Sequence, residues 1–201
     1  MADRPTEARH PHSAGLHALP GQTALSHLLD AQLAALATVR AAIPMIDEAA
    51  AAAADSLRAG GKLAYAGAGS SGLMALSDAL ELAGTFGIPP ERTPILFAGG
   101  AAALLHMTGA VEDDPALAEA DFHHAGLERG DTILCLSASG TTPYTLVIAD
   151  LARKAGLTVI GLANVAASKL LEQSHISILL NTGPEVVNGS TRMGADRKSV
   201  V

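Results

Sequence analysis

Tryptophan is absent and aromatic residues make up only 2% of the 201-residue chain. Platforms for stacking nucleic-acid bases therefore have almost nothing to be built from. Basic residues are scarce as well: 13 Lys and Arg face 20 Asp and Glu, a formal charge of -7, and they form no run. A phosphodiester grip needs a basic face, so no nucleic-acid partner is expected. A small phosphate ester is not excluded, because backbone amides and hydroxyls hold an anion without a basic surface. Cys135 is the lone cysteine, which excludes an internal disulfide framework and a cysteine-clustered metal site. It lies in the apolar run from Asp131 to Leu136 and reads as a small core residue. No stretch of about 18 apolar residues occurs, and Met1 to His12 carries no hydrophobic signal core. The expectation is a cytoplasmic protein without a membrane partner.

What is present has a clear order. Residues 1–20 hold Pro5, Pro11 and Pro20 with no apolar period and read as an irregular arm, its His10, His12 and His17 solvated. From Thr23 to Arg58, Leu28, Leu29, Leu33, Leu36, Val39, Ile43 and Ile46 recur at helical spacing, with an interruption expected near Pro44. Gly60-Gly61 ends this helical part. Short apolar runs then alternate with helical segments. Strands are expected at Lys62–Ala66, Thr93–Phe97, Asp131–Leu136, Thr158–Leu162 and Ile176–Leu180. Helices are expected at Leu73–Leu82, Ala101–Thr108 and Pro143–Ala155. Continuously apolar strands separated by helices imply an α/β fold, a doubly wound parallel sheet flanked by helices. The expected division is an N-terminal arm with helices over 1–60, the sheet domain over 61–195 and an atypical tail over 196–201. Ligands of such sheets bind beyond the carboxyl ends of the strands.

Two turns lie there. Gly67-Ala68-Gly69-Ser70-Ser71-Gly72 follows a strand and opens a helix, yet it fits neither the dinucleotide fingerprint nor a Walker loop. Ser137-Ala138-Ser139-Gly140-Thr141-Thr142-Pro143 repeats the logic with four hydroxyls at a helix N-terminus, where free N–H groups and the dipole favour phosphate. Ordinary capping needs one hydroxyl. Neither turn includes a lysine, which suits a sugar phosphate better than a nucleoside triphosphate.

The segments Tyr65–Gly72, Asp78–Glu81, Thr85–Gly87, Ala98–Gly100, Glu112-Asp113, Ala138–Tyr144 and Gly189–Met193, with Thr6-Glu7 and Arg9 in the arm, resemble a SIS (sugar isomerase) domain. Within that family the likeness is to the N-acetylmuramic acid 6-phosphate etherases. The resemblance implies removal of the lactyl ether from carbon 3, giving N-acetylglucosamine 6-phosphate and D-lactate, without metal or cofactor. It places the two catalytic carboxylates on Glu81 and Glu112, and substrate or phosphate contacts on Gly69, Ser70, Ser71, Ser137, Ser139, Gly140, Thr141, Thr142 and Ser190. Glu81 is assigned as the acid for the leaving lactate and Glu112 as the base, an assignment open to exchange. Leu73 and Thr141 stand where the family has arginine, and the tail from Asp196 to Val201 departs from the pattern and reads as a truncation.

Read on residue type alone, Glu81 passes equally for a solvated helix position, Glu112 for part of an acidic surface turn, and His106, His123 and His124 for ordinary helical histidines. Glu81 follows Ser70 by eleven residues, roughly 16 Å along a helix. That span exceeds a hexose phosphate. Either the phosphate sits mainly on the second turn or Glu81 serves a neighbouring subunit, which suggests a homodimer with a shared site. Two alternatives remain at this point: an aldose–ketose isomerase, which needs one base, and a non-catalytic sugar-phosphate sensor.

Overall fold

The computed structural model describes residues 8–106 and 109–187. Five parallel strands form one sheet: β1 (Leu63–Gly67), β2 (Ile95–Phe97), β3 (Thr132–Leu136), β4 (Thr158–Ala163) and β5 (Ile176–Leu179). Their spatial order is β2-β1-β3-β4-β5. The helices are α1 (Gly21–Ala37), α2 (Val39–Arg58), α3 (Gly69–Phe86), α4 (Gly100–Leu105), α5 (Pro115–His124), α6 (Pro143–Ala155) and α7 (Lys169–Gln173).

Every residue of β1 and β3 is buried, as expected of strands covered on both faces. Alternation along the strands divides the core into two layers. Ala64, Ala66, Ile133, Cys135 and Val159 pack with Phe122 of α5 and Tyr144 and Ile148 of α6. Tyr65, Leu134, Leu136, Ile160 and Leu162 pack with Ala42 and Ala49 of α2 and Ala75 and Ala79 of α3. Alanines at these helix contacts let the backbones approach the sheet closely. Cys135 is fully enclosed, and burial pushes its thiol up to about 12. Each layer also contains one phenol tied to a helix: Tyr65 donates to Asp78 at 2.9 Å and Tyr144 to Asp121 at 2.6 Å.

Several boundaries differ from expectation. The helical break falls at Thr38, with a 45° bend between α1 and α2, and not at Pro44, which α2 accommodates. The Thr38 hydroxyl donates back to the Ala35 carbonyl at 2.7 Å, a side-chain bond that competes with the ladder and bends helices. The first glycine-serine turn is shorter than expected, because α3 already begins at Gly69. Helix α7 has only five residues, too few to show a period. In the arm, the His12 ring stacks on His27 of α1 with centroids 4.1 Å apart, so the exposed arm is tethered there.

The amino ends of the strands are fastened by Asp131. Its Oδ1 accepts from Lys62 N and its Oδ2 from Glu128 N, both at 2.8 Å, and the residue is buried. Ser56 adds bonds to the carbonyls of Lys62 and Gly130. Asp131→Ala leaves two part-buried N–H groups without this acceptor and is expected to cost about 1–3 kcal/mol in urea unfolding. A loss below about 1 kcal/mol would contradict this role for the carboxylate.

Candidate functional site

The carboxyl ends of β1 and β3 are adjacent, with Gly67 opposite Leu136. Both turns therefore leave the same end of the sheet, one strand apart. The strand order reverses between them: α3 departs to the face covered by α2, and α6 to the face covered by α5. This divergence opens a crevice, the usual ligand position of a doubly wound sheet.

At the first turn, Ala68 alone separates β1 from α3. Gly69 adopts a left-handed φ of +53°, and Ser70 and Ser71 form the first helical turn. A β-carbon at Gly69 would overlap Oε1 of Glu112, so the Glu112 carboxyl stands directly over this turn. Gly72 allows the same close packing below, since a β-carbon there would approach the Phe97 ring to 2.6 Å.

Glu112 lies in a 3-10 turn, Gly109–Asp113, ahead of α5. The three successive acids have distinct fates. Asp114 caps α5, its Oδ1 accepting from Ala116 N at 3.0 Å and Leu117 N at 3.1 Å, with Pro115 in the first helical position. Asp113 is exposed, and Glu112 is half-buried. Burial foremost, and then the negative charge of Asp113, raises the Glu112 carboxyl above the ordinary value of 4.5. A carboxyl of raised pKa in a crevice is suited to exchange a proton with a substrate.

The hydroxyls of the second turn largely hold each other. Ser137 Oγ accepts from Gly140 N at 3.0 Å and lies 2.8 Å from Thr142 Oγ1 and 3.4 Å from Ser139 Oγ. Ser139 Oγ accepts from Thr141 N at 3.2 Å and from Thr141 Oγ1 at 3.0 Å. The set therefore shapes the loop before any ligand arrives, a structural use beyond the expected anion contacts. Thr142 supplies no side-chain cap to α6, so the first amides of that helix are not covered by it. Gly140, at φ +64°, packs against Ser168 where a β-carbon would not fit.

Two residues escaped the sequence reading. Asn164 is buried after β4, where its N–H donates to Ala138 O and its Nδ2 to Leu180 O, both at 3.0 Å. Ser168, also buried, wedges against Gly140. Together they back the second turn. A polar residue just past a predicted buried strand was the available signal.

Glu81 is not brought to the turns. It lies on the exposed side of α3, accepting a hydrogen bond from Thr85, about three turns beyond Ser70. Leu73 is half-buried behind Gly72, and Thr141 sits within the hydroxyl network. His106, at the end of α4, is exposed, as are His123 and His124. Ser190 and the rest of Gly189–Met193 lie outside the described residues.

The pattern of the SIS domain family matches residues 29–164. The N-acetylmuramic acid 6-phosphate etherase of Deinococcus radiodurans is 42% identical over 192 residues, spanning 96% of this chain and 63% of that protein. The etherase of Burkholderia lata is also 42% identical, over 94% of this chain and 62% of its own length. The chain thus spans about three-fifths of the relatives it matches. Among solved structures, a phosphoheptose isomerase from Francisella tularensis superposes with a TM-score of 0.65 at 22% identity, covering 89% of this chain and 92% of the other. A phosphoheptose isomerase from Neisseria gonorrhoeae gives 0.64 at 18% identity, covering 87% and 90%.

The raised carboxyl at Glu112 has a consequence for stability. The folded chain holds a proton there more tightly than the unfolded chain. Glu112 thus subtracts stability above its folded pKa, and the penalty disappears as pH falls below the unfolded value of 4.5. Glu112→Gln is expected to raise the urea midpoint at about pH 8 and to leave it unchanged at about pH 3.5. An equal shift at both values would place the carboxyl in a water-like setting.

Proposed function

Because the chain belongs to the SIS domain family, we propose that it acts as a cytoplasmic, homodimeric lyase on N-acetylmuramic acid 6-phosphate, releasing D-lactate and leaving N-acetylglucosamine 6-phosphate. The names of its relatives support the substrate. The observation that carries the reading is the Glu112 carboxyl over Gly69, one strand from an amide- and hydroxyl-lined turn.

Ring opening exposes an aldehyde that acidifies the proton on carbon 2. Glu112 takes that proton as the bond from carbon 3 to the lactyl oxygen breaks. A protonated carboxyl, assigned to Glu81, gives its proton to the departing alkoxide. Water then adds across the unsaturated intermediate and restores the hydroxyl at carbon 3. Burial raises the proton affinity of the Glu112 carboxyl, which suits proton exchange near neutral pH and leaves its role open to exchange with that of Glu81. The second turn receives the phosphate through the first amides of α6 and the hydroxyls around it.

Within one chain Glu81 follows Gly69 by twelve residues of α3, about 18 Å along the helix and longer than a hexose phosphate. We assign it to the partner's site. Leu80 and Phe86 flank it on the same helix and are 63% and 68% exposed, apolar surface suited to a second copy. An aldose–ketose isomerase needs only the one carboxylate that a single chain brings to the turns, and it stands as the second reading.

Incubation with N-acetylmuramic acid 6-phosphate is expected to release D-lactate. Glu112→Gln and Glu81→Gln should each lower kcat by about 10²–10⁴. Mixing the two variants under conditions of subunit exchange should restore about a quarter of the wild-type rate, since half of the dimers carry one intact site of two. Absence of lactate with the wild-type chain rejects the lyase. Absence of restoration rejects only the sharing of sites, and conversion of an aldose phosphate to a ketose would favour the isomerase.

A further inference from the structure

A phosphate on the second turn meets mostly neutral donors, in a chain whose formal charge is -7 and whose crevice already holds Glu112. The described cations are sorted by their place in the fold, with Arg9 in the N-terminal arm and Arg40 in the first turn of α2. Lys62 donates to Gly126 O, and Arg92 to Gly61 O and Leu57 O, around the amino ends of the strands. Arg58 pairs with Asp55 and Lys154 with Asp150, while Arg153 donates to Gln173 O. Arg129 packs beside Gly156, ahead of β4. In the described loops that leave the carboxyl ends of the strands, up to the first residue of the following helix, Lys169 is the one Lys or Arg.

Its backbone is held at the second turn from both sides. Asn164 fastens the start of the loop to Ala138 O. Ala167 then takes φ +50°, the one left-handed non-glycine among the described residues. Such a conformation persists where the surroundings over-determine it, and it is concentrated at functional sites. Ser168, just before Lys169, packs on Gly140, and Leu170 N, just after it, donates to Gly140 O at 3.0 Å. The lysine is therefore bracketed by two residues that touch the same glycine. Its side chain is exposed and forms no ion pair among the described residues. A flexible four-carbon stem carrying a compact ammonium suits a point contact with phosphate.

We infer that Lys169 supplies the cation that holds the substrate's phosphate on the second turn, a specificity-determining contact that rests on the sugar-phosphate reading above. The strained loop presents the lysine, and the hydroxyl network and α6 amides orient the oxygens.

Calorimetric titration of the full chain with N-acetylglucosamine 6-phosphate tests this, with N-acetylglucosamine as the phosphate-free control. Lys169→Met should weaken binding of the phosphate about tenfold and flatten its dependence on salt, at an unchanged melting temperature. Lys169→Arg should stay within about threefold of wild type. Undiminished binding by Lys169→Met overturns the inference and leaves the sugar-phosphate reading standing. A loss that Lys169→Arg does not recover also overturns it, because loop distortion and not charge would then be responsible. Failure of the wild-type chain to prefer the phosphorylated sugar removes both.

Discussion

The pairing of β1 with β3 is the constraint on which the crevice depends. Parallel alignment of Gly67 with Leu136 puts the ends of the two turns about 4.8 Å apart. The reversal of strand order at that point sends α3 and α6 to opposite faces, so no helix fills the space between them. A slip of one residue would exchange the faces of β1. Tyr65 would then leave Asp78, and Ala66 would face the layer that now holds Leu134 and Leu136. The glycines at 67, 69 and 72 serve the same geometry by letting strand, helix start and Glu112 meet without β-carbons between them.

Once Glu112 occupies the first turn, the two turns cannot have the same task. A phosphate on the Gly69 amides would stand beside a carboxylate and raise its proton affinity further, holding it neutral when it should act as base. Placed on the second turn, as proposed, the phosphate would stand a strand farther from Glu112. The internal hydrogen bonds of Ser137, Ser139, Thr141 and Thr142 fit this division. Four hydroxyl hydrogens meet three mutual contacts, so the loop keeps its shape while a donor remains for an incoming oxygen. The site is preorganised by neutral groups, which leaves charge balance to whatever cation the neighbouring loops bring.

The sheet was legible because each buried strand is a short apolar run closed by a turn residue, and the α/β alternation follows directly. The sites of the turns were legible for the same reason. Other features depended on contacts that no local pattern encodes. Gly69-Ser70-Ser71 has weak helical propensity, yet it is helical, with Gly69 close under Glu112 and the following Gly72 against Phe97. Pro44 is the stronger formal breaker, but the bend falls at Thr38, whose hydroxyl returns to the Ala35 carbonyl. Among Glu112, Asp113 and Asp114, composition alone predicts an acidic turn. Only tertiary placement separates the half-buried acid from the exposed one and from the helix cap. Asn164 and Ser168 went unread because their partners, Ala138 and Gly140, are reached through the fold.

Glu81 shows how far a single chain can complete this chemistry. Among the described residues Glu81 is exposed, and Leu80 and Phe86 on the same helix are exposed as well. Helix α1 presents the same imbalance: Leu25, Leu29, Leu33 and Leu36 follow helical spacing on its exposed side, while Ala35 is its one buried residue. A helix of this length holds mainly through packing of an apolar face. The proposed second copy would cover surfaces of this kind. The acid role proposed for Glu81 therefore depends on assembly.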